Sequence, residues 1–205
     1  MLQSQTVDAT TLELLKHLMK LPELEQFHLV GGTNLSLRFG HRLSIDIDLF
    51  TNESFIPLEL FQYIKGAFPQ AELKSSTKSM LFFYINGVKI DCVLAPFPYL
   101  EPIEIIDDIR FVSTPDVIAM KLGALSGRGV KKDFWDIAEL LNHYKLEEML
   151  FFFAAKYNAH DPFFVIRSLT YFEDAEHQID PQPLKKITWE QVKKKVEKAV
   201  KDFLK

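Results

Sequence analysis

Asp46 and Asp48 stand one residue apart in Ser44-Ile45-Asp46-Ile47-Asp48-Leu49-Phe50, with Ile45, Ile47 and Leu49 in the alternate positions. A strand repeats every two residues, so this pattern predicts both carboxylates on one face, their Cα atoms ~6.6 Å apart at a rise of about 3.3 Å per residue. Converging carboxylates make an oxygen-only donor set. That suits Mg²⁺, with Mn²⁺ as a substitute, because such an ion keeps waters and takes its remaining ligands from substrate phosphates. Just upstream, His28-Leu29-Val30 reads as a short strand and Gly31-Gly32 as a break where the backbone can take angles that a Cβ forbids. Thr33 is the expected N-cap of a short helix that carries Leu35 and Phe39 and stops at Gly40. Free N–H groups, the positive end of the helix and the missing side chains together make a cradle for a phosphate.

Each feature also has a plainer reading. A Gly-Gly pair is commonly a turn, and two aspartates on a strand can be its solvated side. Their combination argues for chemistry, because aspartate is depleted in strands and this pair is aligned opposite an apolar face just beyond a phosphate cradle.

The stretch LVGGTNLSLRFGHRLSIDIDLF, followed at suitable spacing by KLGALSGRGVKKDFWDIAEL, resembles the nucleotidyltransferase-fold proteins of the AbiEii/AbiGii toxin type, relatives of the polymerase-β-like transferases. The resemblance covers about residues 10 to 145. It implies a metal-dependent transfer of a nucleotidyl group from an NTP to an acceptor, either an RNA terminus such as tRNA or a protein hydroxyl. It also implies the toxin half of a pair restrained by a cognate antitoxin. On this resemblance Gly31, Gly32 and Thr33 hold the triphosphate, Asp46, Asp48 and Asp91 ligate metal, and Asp91 assists the attacking hydroxyl. Lys121 and Asp136 join the catalytic set, while Lys121, as a phosphate-facing cation, together with Arg42, Arg128, Lys132 and Asp133 contacts substrate. Asn34 departs from the small apolar residue usual there. The competing expectation is a nucleotide-binding regulatory module that has lost transfer.

The fold class expected is α+β: a nucleotidyltransferase-like mixed β-sheet flanked by helices over residues 1–112, then a helical C-terminal lobe over 113–205 that closes the cleft. At 205 residues and 47% hydrophobic, the chain can bury a sizeable core. Its one cysteine, Cys92, excludes an intrachain disulfide and fits a reducing compartment. No run of ~18 apolar residues or secretory segment is seen, so a cytoplasmic protein without a membrane partner is expected. The six histidines have no metal-ligand spacing.

Further elements follow from local signals. Leu12, Leu15, Leu18 and Met19 predict an amphipathic helix over 10–20 capped at Thr10 or Thr11, and Pro57 starts another that ends before Pro69. Asn86-Gly87 between apolar strands predicts a type I′ hairpin pairing Ile85 with Val88 and Phe82 with Asp91, which puts Asp91 on the face of Lys89 and Val93. Taken alone, Asp91 could also be an edge charge that guards against aggregation. Ser113-Thr114-Pro115-Asp116 opens a helix from about Pro115 to Ser126, closed by Gly127, and Gly127-Arg128-Gly129 then reads as a mobile basic loop. On residues alone Lys121 is a snorkelling lysine, and Lys132 with Asp136 an ordinary i,i+4 pair, because Asp133 and Asp136 fall off the stripe of Phe134, Ile137, Ala138 and Leu141. Beyond Tyr144 helices are expected, one opening at Asp161-Pro162 and the last at Thr188 through a capping box. Residues 185–205 carry a net +5 against −9 on the remainder.

Overall fold

The computed structural model describes residues 2–159 and 162–205, so Asp161 lies outside it. Among the described residues the chain divides into two compact units. One comprises residues 2–38, 44–98 and 103–112, the other residues 39–43, 99–102, 113–159 and 162–205.

The first unit is a mixed seven-stranded sheet in the order β3-β4-β5-β2-β1-β7-β6. The strands are β1 (His28–Leu29), β2 (Ile47–Thr51), β3 (Glu72–Ser76), β4 (Met80–Ile85), β5 (Val88–Leu94), β6 (Glu104–Ile106) and β7 (Ile109–Phe111). Strand β5 runs parallel to β2 and antiparallel to β4. The hairpin register follows the turn as expected, with Ile85 opposite Val88 and Phe82 opposite Asp91. Asn86 and Gly87 both have positive φ, 50° and 80°, as a type I′ turn requires. One sheet face is dry: Ile47, Leu49, Leu81, Phe83, Ile90 and Cys92 are fully buried in a core that also takes in Leu15 and Leu18 of α1 (Ala9–Met19) and Leu60 and Ile64 of α3 (Pro57–Ala67). Asp8, not Thr10 or Thr11, caps α1, by accepting from the Thr11 backbone N–H at 2.9 Å.

The second unit is helical: α4 (Thr114–Arg128), α5 (Lys131–Leu140), α6 (Leu146–Tyr157), α7 (Phe163–Leu169), α8 (Glu173–Glu176) and α9 (Trp189–Phe203). Ser113 caps α4 by accepting from the Asp116 N–H. Thr188 and Gln191 form the expected capping box on α9, whose buried stripe is Val192, Val196 and Val200. Helix α4 runs past Ser126 to Arg128 and ends at Gly129, φ 50°, so Gly127 and Arg128 are helical instead of forming a loop. The left-handed Gly129 supplies the stop that Gly127 does not, in the manner of a helix C-cap. No helix among the described residues is long and apolar enough to cross a membrane.

Candidate active site

Asp48 and Asp91 lie directly side by side, paired in register across the parallel strands β2 and β5. Neighbouring strands are ~4.8 Å apart, so two negative charges are held closer together than the spacing along one strand would put them. Both are half-buried on the face opposite Ile47, Leu49, Ile90 and Cys92. Asp91 Oδ2 accepts from Lys89 Nζ at 2.5 Å, while Asp91 Oδ1 is buried with no hydrogen-bond partner in the protein. Burial draws the Lys89 ammonium down, but the hydrogen bond to Asp91 and the charges of Asp91, Asp46 and Asp48 outweigh it and raise its pKa. Lys89 therefore sits in the field of all three carboxylates. Sequence reasoning placed it on the Asp91 face without giving it a role; the i,i+2 spacing on a strand was the available signal.

Asp46 is not in the strand, which begins only at Ile47. The approach to β2 is irregular because it is tied by other bonds. The Ser44 N–H donates to the Thr6 carbonyl at 2.9 Å, and the Thr33 hydroxyl bonds both Ser44 Oγ, at 2.9 Å, and the Asp46 carbonyl. Thr33 is 1% exposed and lies inside helix α2 (Gly31–Phe39), so it is neither the N-cap nor open to a phosphate. Its hydroxyl positions the backbone of Asp46. Asn34, the departure from the family pattern, is fully buried and donates to the carbonyls of Leu29 and Val112, at 2.8 and 3.0 Å, which pins α2 to β1 and the end of β7. A small apolar residue could not make these bonds.

The helix begins at the glycines themselves. Gly31, φ 70°, lies against Asp48, and a Cβ there would meet Asp48 Oδ2 at 2.3 Å. The N-terminus of α2 and the Asp48 carboxylate thus share one small space. Gly31→Ala is expected to cost about 1–2 kcal/mol for the left-handed backbone and to push Asp48 aside, so any activity that uses the Asp48 carboxylate should fall much further than thermal stability. Melting curves and activity measured on one preparation check this.

The second group of candidates lies within the helical unit and is an ion network. Asp136, fully buried, accepts from Arg42 Nε and Nη2 at 2.7 and 2.9 Å, pairs with His41 Nε2 at 2.7 Å, and meets Lys121 Nζ at 2.6 Å. Lys121, 5% exposed, also donates to Asp133 at 2.8 Å, and Arg128 closes on Asp133 at 2.9 and 3.1 Å. Asp133 and Asp136 therefore do not fall off the buried stripe, because α5 is buried on nearly every side. Nor does Lys121 snorkel. Burial by itself would raise the Asp136 carboxyl, but the charges of Arg42 and Lys121 with the His41 and Arg42 hydrogen bonds hold it well below the usual carboxylate range. Burial likewise lowers and the two aspartates more than restore the Lys121 ammonium, whose pKa is raised. Lys132 is half-buried on the first turn of α5. Sequence reasoning missed His41; its place beside Arg42 was the only hint.

A metal can be tested against this geometry. Among the described residues no three His, Cys, Asp or Glu side chains already converge as a ligand set. The pair Asp48 and Asp91 nevertheless fits Mg²⁺, which uses one or two carboxylates and draws on waters and phosphates instead of a full protein cage, and the unpartnered Asp91 Oδ1 is an oxygen of the required kind.

The family described as "Nucleotidyl transferase AbiEii toxin, Type IV TA system" matches residues 13–205. An uncharacterized protein of Aquifex aeolicus (strain VF5) is 32% identical over 200 residues, 94% of this chain and 95% of that one. Among solved structures, a putative nucleotidyltransferase from H. pylori aligns with a TM-score of 0.56 at 19% identity, covering 95% of this chain and 94% of that one. MenT4, a nucleotidyltransferase toxin of Mycobacterium tuberculosis, aligns with a TM-score of 0.59 at 16% identity, covering 85% and 74%. At those identities the two structures speak for the fold, which is the α+β nucleotidyltransferase-like class expected from the sequence.

Proposed function

The chain belongs to the AbiEii nucleotidyltransferase toxin family, and on that premise we propose that it transfers a nucleotidyl group from an NTP to an RNA terminus, tRNA being the favoured class, in a reaction that uses Mg²⁺ or Mn²⁺. The observation that carries this reading is the in-register pair Asp48 and Asp91, one oxygen of Asp91 unpartnered, beside the glycine-led N-terminus of α2. A bound divalent ion would neutralise phosphate charge and favour in-line attack at the α-phosphorus. The protein's share is positional. Asp48 and Asp91, with Asp46, would hold the ion; Asp91 would take the proton of the attacking hydroxyl; Gly31 and Gly32 would admit the triphosphate at the helix N-terminus. Thr33 keeps Asp46 in place through its carbonyl. Lys121, Asp133, Asp136, Arg42 and Arg128 serve by fixing α4 and α5, since their charges are met within the network. A cognate antitoxin is the protein partner, and the cytoplasm the compartment, that this role implies.

An RNA acceptor is supported by charge. Residues 185–205 hold +5 while the remainder holds −9, and Lys194, Lys198 and Lys201 are exposed on α9. Lys193 is less available, since it pairs with Glu176 and Glu190 at 3.1 and 2.7 Å. Replacing Lys194, Lys198 and Lys201 together by Gln is expected to weaken acceptor use and flatten its salt dependence while NTP affinity holds. Labelled NTP offered with separate pools of RNA and protein tests the acceptor. Label on RNA is expected; label on protein alone would overturn the RNA acceptor, and NTP binding with no product from any acceptor would favour a regulatory binding module.

A further inference from the structure

Lys89 and Asp91 leave the same face of β5, two residues apart, and their side chains close on each other at 2.5 Å. The lysine lies over the Phe82 ring of β4, its Nζ 5.9 Å from the ring centre, so the apolar stem rests on the sheet. Its ammonium is attracted by Asp46 and Asp48 as well as by Asp91. Three acidic groups on this small surface therefore have a cation that is part of the chain. Without it, the adjacent charges of Asp48 and Asp91 would repel each other in a half-buried setting, where water screens them poorly.

Resting on the metal-site reading above, we propose that Lys89 is a tethered counter-cation that competes with the divalent ion for Asp91, and so sets the metal concentration at which the site fills. The same carboxylate cannot give its full charge to both. An ion that takes Asp91 must displace the ammonium from Oδ2 or share the carboxylate with a like charge, and either weakens its binding. The orphaned Asp91 Oδ1 shows that the lysine satisfies only half of the carboxylate, which leaves one oxygen for an incoming ligand.

The test uses the full chain without nucleotide and follows Mn²⁺ binding through loss of the free-ion electron paramagnetic resonance signal. Lys89→Met keeps the stem over Phe82 and removes the charge; it is expected to bind Mn²⁺ about five- to tenfold more tightly than wild type, the size of one modest ion pair. Lys89→Arg keeps the charge and should bind as wild type does. Adding Asp48→Asn to Lys89→Met should abolish the gain, which locates the ion on the carboxylates. Unchanged or weaker binding by Lys89→Met, or equal tightening by Lys89→Arg, would overturn the proposal while leaving the metal site standing, provided that wild type binds Mn²⁺ and Asp48→Asn does not. If neither wild type nor Lys89→Met binds Mn²⁺, the metal-site reading falls together with the proposal.

Discussion

Replacing Asp136 by alanine is expected to cost about 3–5 kcal/mol of folding stability, because it leaves the buried Arg42 and Lys121 charges without their shared carboxylate. That is a large part of what holds a domain of this size together. Thermal or urea unfolding would show it as a much lower midpoint. Lys121→Met should cost less, since Arg42 still neutralises Asp136 and Arg128 still neutralises Asp133. The pH dependence has a definite sign. The folded-state pKa of Asp136 lies well below its unfolded value, so the network's contribution is complete above about pH 4 and is lost as pH falls through the folded value. Stability near neutral pH should therefore be insensitive to this group, with acid unfolding steeper in wild type than in Asp136→Ala.

The second large effect is catalytic. Asp48→Asn keeps the shape of the side chain, its place beside Gly31 and its register with Asp91, and removes only a charge. If that charge holds a metal in the transition state, several kcal/mol of stabilisation go with it, or about three orders of magnitude in rate. Stability should change little or even rise, because repulsion between Asp48 and Asp91 is relieved. Initial rates with saturating NTP and Mg²⁺, alongside melting curves, separate the two effects. A variant that melts like wild type and transfers within a few fold of it would remove Asp48 from the metal site.

The parts of this molecule that local chemistry governs could be read directly from the residues. Asn86-Gly87 set the hairpin and, with it, the pairing of Phe82 and Asp91. The caps Ser113 and Thr188 announced α4 and α9. The alternation through Asp48 announced β2, but not that the strand would begin at Ile47, because Ser44 and Asp46 are held by Thr6 and Thr33, contacts that no local pattern encodes. The burial of Asp133 and Asp136 was hidden for a related reason. A helix enclosed on most sides has no polar face, so a 3.6-residue stripe misassigns its charged members, and their partners Arg42, His41 and Lys121 come from distant parts of the chain. The side-by-side placement of Asp48 and Asp91 needed a parallel pairing between non-consecutive strands; local patterns spoke only for each strand separately, and the family resemblance alone put both aspartates on one metal.

The most direct test of nucleotidyl transfer is the fate of the two ends of the NTP. Parallel reactions with Mg²⁺ and an RNA pool would use NTP labelled either at the α-phosphate or at the γ-phosphate. The expected result is α-label joined covalently to the acceptor and γ-label released as pyrophosphate, with neither change in Asp48→Asn. Transfer of the γ-label to the acceptor, or α-label incorporated equally by wild type and Asp48→Asn, would contradict it.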